Sequence, residues 1–325
     1  MDKVRVGLVG CGGFMRHRLG QMLALPEVEI TAMADPDPKQ TGETKAKYPE
    51  LVDVLEHASF DSMLAAGGLD AVMLVTPHKF HRKEVVASFD SGLHVLVEKP
   101  LACSVEDARA CLDARDRSGK VGAVSYQRHG LPEFQWLRSV VTGGKYGPVL
   151  IVNSVLAQDW KNYTSGAWRQ DPDLSQGGML NDSGSHIFDI LLWTTGLRPQ
   201  SVSCVTDNRG TPVEIDSVTS VRFAGGAMAA VCVMGHACKW HERHVITMED
   251  AIVTWTDGVT ELTPRGGEPQ VLGDWPPATT PDANFIDAIF GRAEVLAPFE
   301  CGLDVVRLTR ACYESAEDGG RPVSL

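Results

Sequence analysis

The chain has 325 residues, 43% of them hydrophobic, which is enough for two domains with a sizeable core each. Its 42 acidic and 30 basic side chains give a formal net charge of −12 without any basic run, so binding to nucleic acid or an anionic membrane is not expected. No apolar run reaches the about 20 residues of a transmembrane helix, and the apolar start ends too soon at a glycine turn for a signal peptide. The eight cysteines are scattered without a CxxC pair, so we expect reduced thiols and a cytoplasmic protein.

The first part of the chain alternates short apolar strands with helices. Strands are predicted at 4–10, 29–35, 70–76, 94–100 and 120–127. Helices are predicted at 15–25, 41–49, 81–92 and 104–119, the last with Ser and acidic residues at its start and Gly at its end. This alternation indicates βαβ units and a doubly wound parallel sheet, the Rossmann architecture, with helices on both faces.

After about residue 125 the strands follow each other with few helices between them. They are predicted at 147–157, 216–224, 226–235 and 249–258, before a helical C-terminal stretch, and all seven tryptophans lie in this half. The pattern is typical of a large, mostly antiparallel open sheet. We therefore predict an α/β protein with a nucleotide-binding domain at 1–122 and a substrate-binding and oligomerisation domain at 123–325, whose last helices are candidates for packing back on the first domain.

The first strand leads directly into a glycine turn, Gly10-x-Gly12-x-x-Met15. In a dinucleotide site the first glycine makes the turn, the second lets backbone N–H groups approach the pyrophosphate, and the helix N-terminus favours negative charge. The third position usually holds a small residue, and Met15 departs from that rule. Taken alone, the glycines fit a nucleotide site and an ordinary tight turn equally well.

Asp35 ends the second strand about 20 residues after the glycines, where the dinucleotide fingerprint has the carboxylate that binds a ribose hydroxyl. A carboxylate there repels a 2′-phosphate, so NAD is favoured over NADP as the cofactor. The alternative is that Asp35 is only a turn residue. Arg16 and Arg18 either add positive charge near the phosphates or are exposed helix residues.

Asp182, His186 and Asp189 are spaced i, i+4, i+7 and would share one face of a helix. They fit metal ligands, an acid–base pair or a polar seam between helices. A metal site needs three or more converging ligands, and the Cys238, His241 and His244 of a nearby segment follow no known ligand spacing. We expect residues 238–244 to be a polar loop bordering the substrate cleft. We expect no metal at residues 182–189. Asp189 is expected to anchor the helix.

Several segments resemble the glucose–fructose oxidoreductase / inositol dehydrogenase (Gfo/Idh/MocA) family, nearly from end to end of the chain. They are GLVGCGGFM, VTPHKFH (75–81), GLHVLVEKPLA (92–102), YQR (126–128), WRQDPDLSQGGMLNDSGSHIFDILLWTTG (168–196) and YESAEDGGRPV (313–323). The combination of an EKP element with GG-x-x-x-D-x-x-x-H is specific. The resemblance implies a Rossmann domain, a second domain whose open sheet carries the substrate pocket on one face and an oligomer contact on the other, and NAD(P)-dependent chemistry at a hydroxyl of a sugar, cyclitol or related polyol.

The resemblance also implies roles for individual residues. The EKP lysine falls on Lys99, and the aspartate and histidine fall on Asp182 and His186. The resemblance also implies a cis bond between Lys99 and Pro100. The family's TPN-x-x-H segment falls on residues 76–81, where His78 replaces the usual asparagine. The residues expected at the cofactor are Gly10, Gly12, Gly13, Phe14, Met15, Asp35, Thr76, Pro77, His78, His81, Glu98, Lys99 and Gln127. Those expected at the substrate are Lys99, Arg128, Trp168, Arg169, Asp182 and His186.

Oxidation of a secondary alcohol needs a base for the hydroxyl proton as well as a hydride acceptor. His186 is the leading base because the usual pKa of histidine, about 6.5, lies near working pH. Asp182 then orients the ring or holds a substrate hydroxyl, and Lys99 polarises the carbonyl oxygen or relays the proton. This gives an NAD-dependent sugar, cyclitol or polyol dehydrogenase, expected as a homodimer or homotetramer. The alternatives are a lyase or glycosidase that retains its cofactor through transient oxidation and elimination, and a non-catalytic NAD-binding sensor.

Overall fold

A computed structural model describes residues 3–325. The chain forms two compact units, each made of two stretches of sequence. The first unit contains Met1–Gln127 and Thr279–Gly302, and the second contains Arg128–Ala278 and Leu303–Leu325. None of the described helices combines the length and the apolar character needed to cross a membrane.

The first unit is built on a six-stranded parallel sheet in the order β3-β2-β1-β4-β5-β6. Its strands are β1 (Val4–Val9), β2 (Val28–Ala34), β3 (Leu55–His57), β4 (Ala71–Leu74), β5 (His94–Val97) and β6 (Gly122–Val124). All of β4 is buried, as expected of a strand covered on both faces. The strand order reverses between β1 and β4, and ligands of such sheets bind beyond the carboxyl ends of the strands at this point.

The second unit is built on a nine-stranded sheet in the order β14-β13-β12-β11-β7-β10-β9-β8-β15. Its strands are β7 (Val149–Ala157), β8 (Pro199–Asp207), β9 (Asp216–Phe223), β10 (Met228–Met234), β11 (His241–Met248), β12 (Ala251–Thr256), β13 (Val259–Pro264), β14 (Gln270–Leu272) and β15 (Val323–Ser324). β10 and β7 are parallel, and every other neighbouring pair is antiparallel. The two sheets confirm the predicted fold class.

The helices pack on the sheets and carry some of the expected functional residues, among them Met15, His81, Asp182 and His186. They are α1 (Gly13–Leu23), α2 (Pro38–Lys47), α3 (Phe60–Ala66), α4 (His81–Asp90), α5 (Val105–Ser118), α6 (Pro132–Thr142), α7 (Trp160–Tyr163), α8 (Pro172–Ser175), α9 (Met179–Asp182), α10 (Gly184–Thr195), α11 (Pro281–Ile289) and α12 (Phe299–Glu317). Short 3-10 turns lie at Pro49–Leu51, His78–Phe80, Gln127–Gly130 and Trp168–Gln170. Helix α5 shows the expected local signals, because the Ser104 side chain accepts the Asp107 N–H and Gly119 ends the helix with φ of 63°.

Two local expectations are wrong. Residues 238–244 are not a loop throughout, because His241–Met248 forms β11 between β12 and β7. The polar appearance of that strand comes from Glu242 and His244, which are 0% and 2% exposed and satisfy each other inside the unit. The run around Asp182 is not one helix either, because α9 and α10 meet at Ser183, although the backbone there keeps helical angles.

One face of the nine-stranded sheet presents apolar side chains. The register places Val205, Val218, Cys232 and Val155 side by side across four neighbouring strands. Val205 and Val218 are 53% and 56% exposed, whereas Cys204 next to Val205, and Ser217 and Thr219 next to Val218, are buried. Contiguous exposed apolar surface of this kind is unusual on a monomeric domain.

Candidate active site

The glycine turn of the first unit leaves open space at the start of α1. Gly10 has φ of 79°, and a Cβ there would lie 2.6 Å from the Val75 carbonyl oxygen, so only glycine fits. A Cβ at Gly12 or Gly13 would meet nothing within 4 Å. Helix α1 begins without a side-chain cap and without an acidic residue in its first turn. The turn therefore provides an accessible, uncapped helix N-terminus, which fits the pyrophosphate of a dinucleotide.

Met15 and Phe14 of the same turn have opposite environments. The Met15 side chain is completely buried in the core cluster that contains Leu8 and Met33. It therefore replaces the expected small residue by turning inward, and any contact with a cofactor is left to its main chain. Phe14, in contrast, is 43% exposed and stacks at 6.2 Å from the His17 ring.

Asp35 lies beside the glycine turn and is held by main-chain donors. Its Oδ2 accepts the Cys11 N–H at 2.8 Å, and its Oδ1 accepts the Asp37 N–H at 2.9 Å. A carboxylate has about four acceptor positions, so both oxygens retain capacity for a ligand hydroxyl. The nearby Arg16 is engaged within the unit, with Glu43 at 2.8 Å and the Cys11 carbonyl at 2.9 Å.

The segment after β4 is tied to the segment after β5 by a buried histidine. The His81 ring is completely buried and places Nδ1 at 2.7 Å from the Pro100 carbonyl oxygen and Nε2 at 3.0 Å from the Thr76 carbonyl oxygen. Burial lowers the pKa of His81. His78 is 3% exposed and meets His81 edge to face at 5.8 Å. In the first unit as it stands, His81 joins two loops and presents no surface to a ligand.

Thr76 is anchored by a second buried group, since its Oγ1 donates to Glu84 Oε2 at 2.6 Å. Glu84 is 6% exposed, and burial raises the pKa of its carboxyl to about 7. Lys99 lies in the segment that follows β5, directly after the buried Glu98, and is half-buried. The Lys99 N–H donates to Glu98 Oε2 at 3.3 Å, and the Lys99–Pro100 bond is cis.

In the second unit, the Asp182 carboxylate is buried and fixed by two side-chain donors. Its Oδ2 accepts the Trp160 indole N–H at 2.8 Å and the Arg169 Nε–H at 3.0 Å. The Arg169 guanidinium in turn lies over the Trp168 ring at 4.5 Å. Asp182 is 4% exposed, so these bonds compensate for the burial of its charge.

His186 follows Asp182 by one helical turn and differs from its neighbours in exposure. Between residues 178 and 191, it is the single position that is not buried. Its main-chain N–H donates to the Ser183 carbonyl at 3.2 Å, which continues the helical path across the junction of α9 and α10. The imidazole therefore reaches the surface from an otherwise enclosed segment, beside an anchored carboxylate.

Asp189, in contrast, points to a partner within the fold. Both of its oxygens lie 2.9 Å from His129 Nε2, and both side chains are buried. The His129 ring stacks on Trp193 at 4.0 Å. Asp189 thus anchors α10, as expected, and shares no described bond with Asp182.

Arg128 is bonded within the second unit. Its Nη2 donates to Glu242, whose other oxygen lies 3.0 Å from His244 Nε2, and His244 Nδ1 lies 3.0 Å from Ser154 Oγ. Burial alone would raise the pKa of Glu242, but the charge of Arg128 and the contact with His244 lower it overall. Arg128 Nη1 is buried and has no acceptor among the described residues.

Two family models match this chain. A model of the oxidoreductase family with an NAD-binding Rossmann fold matches residues 4–126, and a GFO/IDH/MocA C-terminal domain model matches residues 134–254. The chain belongs to the Gfo/Idh/MocA family. The cofactor turn, Lys99, Asp182 and His186 all lie within the two matched ranges.

Among relatives of this Gfo/Idh/MocA protein, 1-carboxy-3-chloro-3,4-dihydroxycyclo hexa-1,5-diene dehydrogenase from Comamonas testosteroni is 26% identical over 81% of the chain and 64% of its own length. Inositol 2-dehydrogenase from Corynebacterium glutamicum (strain R) is 26% identical over 61% of the chain and 56% of its own length. The chain therefore spans somewhat less than two thirds of these relatives. The structure of the WlbA dehydrogenase from Bordetella pertussis, in complex with NADH and UDP-GlcNAcA, is 25% identical, with a TM-score of 0.84 over 99% of both chains.

The Gfo/Idh/MocA chain also places side chains at Asp182 that the sequence did not single out. Tyr163 is 63% exposed, yet its hydroxyl is desolvated and lies close to Asp182, and these two effects raise its pKa to about 12. Ser183 lies within hydrogen-bonding reach of that hydroxyl and donates to Gln158 at 3.0 Å. A tyrosine in an unremarkable polar stretch gives no periodic signal, so only the fold shows its place. Gln127, the last residue of the N-terminal stretch of the first unit, is exposed.

Proposed function

We propose that this protein is an NAD-dependent oxidoreductase that transfers hydride between the nicotinamide and a secondary hydroxyl or ketone of a sugar, cyclitol or related polyol. The observation that carries the proposal is His186, the single non-buried residue between 178 and 191, one turn from a carboxylate fixed by two donors. The names of the relatives and of the WlbA complex support a cyclic, hydroxyl-rich substrate.

Each member of the proposed catalytic set has one task. His186 removes the hydroxyl proton during oxidation and returns it during reduction. Asp182 accepts a hydrogen bond from the substrate or from the ring of His186, and its two donors keep it charged. Lys99 donates to the oxygen that becomes the carbonyl and so stabilises negative charge on it. The bound cofactor supplies the hydride acceptor or donor.

We propose NAD rather than NADP because of the charge at the end of β2. Asp35 presents a carboxylate to the ribose, and the neighbouring Arg16 is already paired with Glu43 at 2.8 Å. A 2′-phosphate would therefore meet the negative charge of Asp35, and Arg16 is not free to offset it. The remaining cofactor contacts we propose come from the glycine turn, Thr76, Pro77, His78, Glu98 and Gln127, with His81 acting from behind by holding the two loops.

On the substrate side we propose that Trp168, Arg169 and Tyr163 form a wall next to Asp182. An aromatic face packs on the apolar side of a sugar ring, and the guanidinium and phenol donate to its hydroxyls. Arg128 contributes through its remaining Nη1.

We also propose that a second copy of the chain covers the exposed face of the nine-stranded sheet. The row Val205, Val218, Cys232 and Val155 crosses four strands there, and burying it removes apolar area from water. Val218→Lys is expected to shift the protein to smaller assemblies in light scattering, with unchanged secondary structure. An unchanged mass would place the oligomer contact elsewhere.

The function is tested first by fluorescence titration with NADH and with NADPH, followed by a screen of sugars and cyclitols for stoichiometric NADH formation. Selective NADH binding and net NADH support the dehydrogenase. A cofactor that co-purifies and is never released as NADH would indicate the retaining lyase or glycosidase instead. NAD binding without turnover on any of these substrates, together with a stable protein partner, would indicate a sensor.

A further inference from the structure

A buried ionic cluster in the first unit lies next to Lys99. Arg18 is only 7% exposed, so it is neither a surface residue nor a phosphate contact. Its Nη1 donates to Glu98 Oε1 and, at 2.7 Å, to Ser125 Oγ, while its Nη2 donates to Asp282 Oδ2 at 2.5 Å. Both carboxylates are buried as well, Asp282 completely.

The three charged groups come from separate elements of the fold. Arg18 lies on α1, which begins at the glycine turn; Glu98 follows β5; and Asp282 lies in the first turn of α11. Glu98 accepts hydrogen bonds on both carboxylate oxygens. Its Oε1 accepts from Arg18, and its Oε2 accepts the Lys99 main-chain N–H at 3.3 Å. A single carboxylate thus connects the Arg18 guanidinium to the peptide that carries Lys99.

The charge balance of this cluster argues against a purely stabilising role. Two carboxylates face one guanidinium, burial raises the pKa of Asp282, and Asp282 Oδ1 has no hydrogen-bond partner among the described residues. Burying charged groups costs free energy that their mutual attraction only partly returns, and apolar residues of similar volume often stabilise a fold as well or better. The cluster is better explained if it fixes the position of the main chain next to it.

We propose that Arg18 is a positioning residue for Lys99. By holding Glu98 Oε1 it fixes the carboxylate whose other oxygen holds the Lys99 N–H, and so it fixes the main chain from which the Lys99 side chain extends. It also makes the position of that main chain depend on α1, the helix of the glycine turn. The inference rests on the proposed role of Lys99 in hydride transfer.

The test compares the two ionic interactions of the Arg18 guanidinium, one with Glu98 and one with Asp282. Arg18→Met removes both interactions. Arg18→Lys keeps the charge but loses the planar guanidinium that reaches two carboxylates at once. Asp282→Asn is the matched control. Its amide oxygen still accepts from Arg18, and residue 282, unlike Glu98, makes no described bond to Lys99. For each variant we measure kcat, KM for the alcohol, the Kd for NADH, and amide exchange of the segment 94–104 without substrate.

We expect both Arg18 variants to lower kcat by about 10- to 100-fold, because a small misplacement of a catalytic group has effects of this size. KM and the Kd for NADH should stay within about threefold, and exchange of segment 94–104 should become faster. Asp282→Asn should leave kcat and this exchange within about threefold. If Arg18→Met does not fold, Arg18→Lys decides the question, with the same expected changes of kcat and exchange.

Unchanged kcat and unchanged exchange in the Arg18 variants would overturn the inference, and so would equal losses of kcat in Arg18→Lys and Asp282→Asn. The proposed role of Lys99 fails separately, through normal turnover of Lys99→Met, and the proposed dehydrogenase activity fails if no sugar or cyclitol of the screen yields NADH. In either case the amide exchange of segment 94–104 in the Arg18 variants still shows whether Arg18 holds this main chain. Unchanged exchange would mean that it does not.

Discussion

The two units hold their functional residues in different ways. In the first unit the bonds come largely from the main chain: Asp35 accepts two backbone N–H groups, and His81 lies between two backbone carbonyls. In the second unit Asp182 depends on two side chains, Trp160 and Arg169, from other segments. A site built on main-chain groups needs only a particular loop shape, whereas a site built on side chains needs particular partners. The substitutions below are chosen to test this contrast.

The largest expected effect is on the reacting groups themselves, one in each unit. His186→Ala removes the proposed base, and Lys99→Met removes the proposed donor to the reacting oxygen. Each should lower kcat by about 100- to 10,000-fold while the Kd for NADH changes little. Stopped-flow rates and NADH titrations measure both quantities. The control is His241→Ala, because His241 on β11 is paired with Asp257 at 2.8 Å. Near-normal rates in either test variant would refute the assignment.

The next largest effect concerns Glu84, the one titratable side chain that anchors Thr76 in the first unit. Burial raises its pKa to about 7 in the folded protein, from an ordinary value of 4.5. The folded state therefore binds more protons, so this group favours folding below pH 4.5 and loses that contribution as the pH rises through 7. We expect Glu84→Gln to gain about 2–3 kcal/mol of unfolding free energy relative to wild type between pH 5 and pH 8.

Urea titrations at the two pH values measure this difference. Glu106→Gln, at an exposed position in the first turn of α5, should show almost none of it. If the two variants respond alike, Glu84 titrates as an ordinary surface carboxyl, and the hydrogen bond from Thr76 does not depend on its protonation.

A smaller effect is expected at Asp35. Serine keeps an oxygen for the ribose but removes the negative charge, so Asp35→Ser should reduce the preference for NADH over NADPH by about 10-fold or more. The ratio of the two Kd values from fluorescence titration gives the result. Asp37→Ser, whose carboxylate caps α2 through the Lys39 N–H, tests whether any nearby acid has this effect. An unchanged ratio in Asp35→Ser would show that Asp35 only shapes the turn.

The same contrast explains what the sequence predicts. The glycine turn, Asp35 and the parallel strands are visible because main-chain geometry restricts the residue type at each position, as at Gly10 with its φ of 79°. The resemblance to the family identified Lys99, Asp182 and His186, which pattern alone would have left among several alternatives. Arg169 was expected at the same site as Asp182, but the bonds of Trp160 and Arg169 to Asp182 were not predicted, because hydrogen bonds between side chains 22 and 13 residues apart leave no periodic trace.

The strand β11 was missed for a related reason. Its inward-facing residues include Glu242 and His244, which are polar, so the strand lacks the apolar alternation of the predicted strand β10, whose inward-facing residues are Ala229, Val231 and Val233. The Glu242 and His244 side chains are tolerated inside because Arg128 and Ser154 bond to them. A strand of this kind becomes recognisable only once its partners are known.

The smallest effect that we predict concerns the two donors to Asp182. Trp160→Phe removes the indole N–H and Arg169→Met removes the guanidinium, and each should lower kcat/KM by about 10-fold, in keeping with the loss of one hydrogen bond to a charged group. Trp255→Phe is the matched control, because Trp255 is also buried in the second unit and its Nε1 has no partner among the described residues. It makes the same change of volume without losing a bond.

Both donors bond to the same oxygen, Oδ2, so their effects should not add. In the single variants the remaining donor still holds the carboxylate, whereas in the double variant Asp182 is left buried without either bond. We therefore expect the double variant to lose more kcat/KM than the product of the two single losses. Additive losses would mean that the two side chains act on the substrate independently, as parts of its wall, and that Asp182 is held by its helix rather than by its side-chain partners.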